Sequence, residues 1–256
     1  MESQDPQANG PGTPGPEAES PYPGDGPGPE DQTPVSIPSL PARVVQVFVS
    51  PGQLFEALRE KPVWVGALLV GVVMIAASTL LIPTDLMVEV TRQQLISQGN
   101  EVPPGLENMG MIFKVSGAVG ALLFIFIWAF LLAGLCALFF NFIMGGEGKY
   151  KQYLSVVAHG IIIGALGALI TLPLKIAQGD PQLTLSLGTF AFFLEEGYVL
   201  NVLKALDLFG IWGSTVMGIG VTKMVPKISL GAALTFFYGL TVVMALVFGW
   251  IAGLGG

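Results

Sequence analysis

Residues 115–144 read VSGAVGALLFIFIWAFLLAGLCALFFNFIM, thirty residues without one charge. As a helix rising 1.5 Å per residue, the run exceeds the roughly 30 Å hydrocarbon core of a bilayer. Backbone polar groups find no water in lipid, so a crossing segment must satisfy them internally, as a helix does. The excess length leaves room for tilt or for a turn beyond the bilayer. Four more apolar runs follow this reading, at about residues 63–82, 153–174, 206–221 and 229–254. The run at 206–221 is short and rich in glycine. The fold class expected is an all-α membrane protein, with five transmembrane helices in a compact bundle over residues 42–256.

Composition agrees. The chain of 256 residues is 52% hydrophobic and 11% charged, and its mean hydropathy is +0.69. Soluble domains carry about 25% charged residues. The net charge of −7 is local: residues 1–34 hold seven acids and no Lys or Arg. That leaves eleven acids against eleven bases in the rest of the chain. A basic footprint for nucleic acid is absent. The lone cysteine, Cys136, lies inside an apolar run and is read as a buried inert thiol. No cleavable leader is visible, so the first run is expected to act as an uncleaved signal anchor.

Residues 1–41 hold 11 of the 19 prolines. So little apolar surface cannot offset chain entropy, and a disordered acidic cytoplasmic tail is expected there. Whether that tail is recognised is left open. Lys and Arg set the orientation of the rest. Arg43, Arg59, Lys61, Lys149, Lys151, Lys223 and Lys227 flank one side, and Arg92, Lys114, Lys175 and Lys204 the other. The N-terminus is therefore expected in the cytoplasm and the C-terminus outside, in the inner membrane if the source is prokaryotic. Both outer connections, about 83–113 and 175–205, are too long to be bare loops. Residues 183–201 are apolar but broken by Gly188 and Gly197; they either lie on the outer surface or dip in.

Ahead of the first run stands VFVSPGQLFEALREKP (47–62). Ser50 is a favoured N-cap, Pro51 suits the first helical position, and Gln53 completes a capping box. Val49 and Leu54 are spaced as a hydrophobic staple. Leu54, Phe55 and Leu58 make one apolar face, with Gln53, Glu56, Arg59 and Glu60 mostly opposite. This interfacial elbow is expected to lie on the cytoplasmic surface with its apolar face toward lipid. Small residues at helical spacing mark expected contacts: Gly160 and Gly164 in the third run, and Gly210, Ser214 and Gly218 in the fourth. The same spacing would serve a homo-oligomer.

Ionisable and polar groups at membrane depth are few, and each is a functional candidate. They are His159, Asp207 and Asn141. A lone histidine without a cysteine pair supports no metal site. No nucleophile or catalytic motif accompanies it, so no catalytic residue and no cofactor are assigned. Asp207 is placed to cap the fourth helix, with Lys204 three residues before it as a possible ion partner. Asn141 is read as a cap or a bridge between helices.

The motif Ser-Pro-x-x-x-Phe at 50–55, five spans, and LDLFGIW (206–212) opening the fourth together resemble the Yip family of five-span, Ypt/Rab-interacting-type membrane proteins, in its prokaryotic branch. The likeness covers about residues 42–254. It implies a non-enzymatic membrane protein. Eukaryotic members bind prenylated Rab-type GTPases, but their Asp-Leu-Tyr-Gly-Pro motif is replaced here by SPGQLFEALREKP, and their Gly-Tyr-x-Tyr-Gly by GGEGKYKQY. The expected role is a membrane scaffold or adaptor that meets the bilayer and a membrane-protein or cytoplasmic partner. The alternative is a small transporter or channel subunit using polar groups between spans two to four.

Overall fold

The computed structural model describes residues 36–254; the expected acidic tail lies outside them up to residue 35. Helix α1 (Leu40–Val49) begins two residues before the expected domain boundary, with Pro41 in its first turn, where no N–H is missed. After Ser50, α2 (Pro51–Leu58) turns the chain toward α3 (Val65–Leu80). Past Pro83 the chain bends by 80° into α4 (Thr84–Ser97). A 3₁₀ turn (Leu106–Met109) leads to α5 (Gly110–Ala137), which ends in a π-helical turn (Leu138–Ile143). Next come α6 (Tyr150–Ile170) and α7 (Leu172–Gln178). The segment 183–201 folds into α8 (Leu187–Phe190) and the start of α9 (Tyr198–Ala205). Last are α10 (Leu208–Met224) and α11 (Leu230–Leu254).

Among the described residues, three stretches are long and apolar enough to cross a membrane: Leu106–Ile143, Tyr150–Gln178 and Leu230–Gly253. The bent pair α3 and α4 is a fourth if counted as one span. The five expected runs all form helices, yet α3 has 16 residues and α10 has 17. The residue before a proline is pushed out of the helical region. Ile82-Pro83 follows the end of α3 in this way, and Val225-Pro226 the end of α10.

Contacts give the helices alternating directions. Ser155 Oγ donates to Val63 O at 3.0 Å, and a Cβ at Gly71 would meet Ile161 Cγ2 at 2.9 Å, so α3 and α6 run parallel. Along α10, Gly220 faces Val156, Met217 faces Gly160 and Phe209 faces Gly167, so α10 is antiparallel to α6. Gly218 against Leu234 and Ser214 against Thr241 set α11 antiparallel to α10. Gly110, at the start of α5, lies on Thr84 and Val88, while Phe130 packs edge-on to Trp64 at the start of α3. The central helix is α6: 67% of its apolar window is buried, against 28% and 17% in the other two long stretches.

Lipid gives no hydrophobic drive for these contacts, so close approach carries them. A Cβ at Gly160 would sit 2.5 Å from Met217 Cγ, and one at Gly218 2.7 Å from Leu234 Cδ2. Ser214 Oγ and Thr241 Oγ1 share a 2.9 Å hydrogen bond. Gly164 and Gly210 are not contacts, contrary to the spacing argument. A Cβ at Gly164 would meet nothing within 4 Å, and at Gly210 only Asp207 of its own turn. Both border a gap of about 210 Å³ between neighbouring helices. Helical spacing marks a face but not whether a neighbour comes down on it.

The bundle has two chemically distinct ends. The base gathers α1, α2, the starts of α3 and α6, and the turns at 144–149 and 225–229. The opposite end, called the outer end for the side on which the charge count expects it, gathers α4, α7, α8, α9 and the start of α10. Seven of the eleven Lys and Arg lie at the base with three acids, Glu56, Glu60 and Glu147. The other eight acids among the described residues lie at the outer end with four bases.

Candidate functional site

The elbow is built into the bundle. Leu54, Phe55 and Leu58 are fully buried against protein, which corrects the expectation of an apolar face on lipid. The Phe55 ring fills a slot made by a missing side chain: a Cβ at Gly220 would lie 2.8 Å from Phe55 Cε2 and 2.9 Å from Val156 Cγ1. Phe48 of α1 sits edge-on to Trp212 of α10, with centroids 5.4 Å apart. Val45 and Val49, 59% and 73% exposed, are left to face outward. With Val49 outside and Leu54 inside, the expected staple does not form. Nor does the capping box: Ser50 makes no side-chain cap hydrogen bond, and Gln53 is exposed. Pro51 holds its expected place in the first turn. Burial of the helix's other face replaces the local cap signals as the force that holds it.

Gln152 ties this base together. Its Nε2 donates to Arg59 O at 3.0 Å and Met224 O at 3.4 Å, and its Oε1 accepts from Lys149 N at 2.8 Å. One side chain thus satisfies backbone at the ends of α2 and α10 and at the start of α6. Two ion pairs flank it, Lys223 with Glu56 and Lys227 with Glu147, each at 3.5 Å. The sequence reading missed Gln152; its signal was the spacing Lys149-x-x-Gln152 before an apolar run.

Above this tie lies a polar cluster. His159 is fully buried, and its Nδ1 lies 2.8 Å from Ser155 O. A carbonyl only accepts, so Nδ1 carries the proton and Nε2 is left as an acceptor. That Nε2 has no hydrogen-bond partner, and neither has Gln46 Oε1. Arg43 is 9% exposed, and its Nε and Nη1 are unmatched donors. Burial holds its guanidinium below the usual arginine range. Arg43 lies near enough for its charge to act on His159. Arg43 and His159 therefore leave two unmet donors and one unmet acceptor where α1 meets α6. Each orphaned group costs about 1–3 kcal/mol. Sequence reading took Arg43 as a flanking charge; the missed signal was Val47, four residues on and fully buried on the same face.

The three polar candidates are not brought together. Asn141 closes the turn at the base: its Nδ2 donates to Gly148 O at 2.8 Å, and its Oδ1 accepts from Gly148 N at 3.0 Å. The Tyr153 hydroxyl donates to the same oxygen at 2.7 Å. Asp207 caps α10 at the far end, where its Oδ1 accepts from Gly210 N at 2.9 Å. Lys204 does not pair with it; its partner is Glu196, at 3.8 Å. Phe209 meets Gly167, while Tyr153 meets Asn141, so about four turns of α6 separate the two sites. His159 stands between them as part of the cluster with Arg43.

Known proteins place this architecture. The model of the family described as "Yip1 domain" matches residues 45–253, from within α1 to the end of α11. The chain is also similar to "Membrane protein YknW" of Bacillus subtilis (strain 168), with 27% identity over 222 residues, covering 82% of this chain and 91% of that protein. No solved structure matches.

Proposed function

The chain belongs to the Yip1 domain family, and from that premise we propose that it is a non-enzymatic membrane adaptor whose base forms a rigid, positively charged docking platform. The observation that carries the reading is the construction of the base. Arg59, Lys61, Lys149, Lys151, Lys223 and Lys227 are all exposed there. Lys223 and Lys227 are engaged by Glu56 and Glu147; the other four make no ion pair among the described residues. Gln152 and the buried elbow hold their backbones in one arrangement. Cations favour the cytoplasmic side, so the platform faces the cytoplasm and the long acidic connections face outward. Helices that alternate in direction suit five passes, with α3 and α10 the short ones.

A platform of this kind suits a partner with an acidic contact surface, met at one fixed geometry. The transporter alternative finds less support, because Asn141, His159 and Asp207 stand in separate places, and Asn141 and Asp207 each answer a local structural need. Co-purification from native membranes tests the adaptor. Reversing Arg59, Lys61, Lys149 and Lys151 to Glu should remove the specific partner, and raised salt should mimic that loss in the wild type. A partner set unchanged by both charge reversal and salt would sink the reading.

A further inference from the structure

Three gaps in the bundle share walls. The largest, about 640 Å³, opens at the outer end and is bordered by Asp180, Thr184, Thr189, Asn201 and Lys204. Ala205 and Phe248 also border a second gap of about 340 Å³, an apolar groove between α5, α10 and α11. Trp128, Leu132, Gly210 and Met217 in turn border both that groove and the gap of about 210 Å³ against α6. Polar space at the outer end thus adjoins apolar space between the membrane helices at Ala205 and Phe248.

We infer that this path binds one glycerophospholipid with a zwitterionic headgroup: the headgroup sits in the outer chamber and one acyl chain lies in the groove. An extended acyl chain is the apolar body the surroundings supply. The chamber presents one charge of each sign, Lys204 for a phosphate and Asp180 for an ammonium. Asp180 keeps its shape by accepting from Gln182 N at 2.8 Å. Lys204 is held only by Glu196, at 3.8 Å. An anionic headgroup would meet Asp180 and the excess of acids at this end, whereas a zwitterion offers each charge its opposite. Gly210 keeps the groove open and Gly164 the smaller gap beside it, since neither meets another helix.

The test is native mass spectrometry of the delipidated full chain with phosphatidylethanolamine or phosphatidylglycerol at equal concentration. The wild type should retain phosphatidylethanolamine about tenfold better. G210L puts a side chain into the groove and should cut that adduct about tenfold, while G231L, where the added atoms also meet open space, should bind as the wild type does. The double variant D180N/K204Q should take up both lipids about equally. A folded G210L that binds as well as the wild type overturns the inference, as does equal binding of the two lipids by the wild type. A measurement on the wild type alone guards against a G210L that fails to fold. Phosphatidylethanolamine carrying a photoreactive acyl chain, in nanodiscs, should label Trp128 and Met217 above Val242 and Val243 on the exposed face of α11; even labelling of the two sets overturns the inference.

Discussion

The two ends of the bundle are held by different physics. At the base, buried rings, a three-way glutamine and a polar cluster join segments far apart in the chain. At the outer end, α4 meets the 3₁₀ turn through Arg92, which lies 3.5 Å from Glu89 and 3.1 Å from Glu107, and gaps remain between the helices. Phe192 and Phe193 there are almost bare. Buried complementarity fixes geometry, whereas exposed ion pairs contribute about 0–1 kcal/mol each. A rigid base beside a looser outer end suits a protein that presents one surface and leaves room at the other.

The contrast predicts unequal costs. The largest falls on Phe55. F55A leaves a cavity beside Gly220 and His159 and should cost about 3–5 kcal/mol in thermal melts of the nanodisc-embedded chain. F192S, at the outer end, should leave the melt within about 0.5 kcal/mol. Equal shifts would erase the distinction between the ends. Next is Q152A, which removes the bonds to the carbonyls of Arg59 and Met224. A loss of about 0.5–1.5 kcal/mol is expected, together with faster hydrogen exchange at the ends of α2 and α10. The smallest effect belongs to K204A. Its pair with Glu196 is long and exposed, so the melt should not move measurably.

Much of this was legible in the residues. Apolar runs placed the five helices of 16 or more residues, and prolines 83 and 226 follow the ends of the two shortest of them. Asp207 was readable as a cap because a carboxylate suits a helix N-terminus. Its possible pairing with Lys204 does not form, and that ammonium lies with Glu196 instead. The fate of the elbow was not legible. An amphipathic helix looks the same whether its apolar face meets lipid or protein, and what decided it was Gly220, on a distant helix. Arg43 was misread for a related reason. Counting charges assigns a side of the membrane but says nothing of which way the stem turns. Gly164 and Gly210 carried the right spacing and no neighbour.

The central claim is that the elbow is part of the bundle, and a double-mutant cycle between Phe55 and Gly220 tests it most directly. G220A alone should destabilise the nanodisc-embedded chain, because the new Cβ meets the Phe55 ring. In the F55A background the same change should cost less, since the ring is gone, only Val156 Cγ1 is still met at 2.9 Å, and Ala favours the helix by about 1 kcal/mol over Gly. The account predicts a coupling of at least about 1 kcal/mol between the two sites. Additive effects, within about 0.5 kcal/mol, would contradict it and return the elbow to the lipid surface.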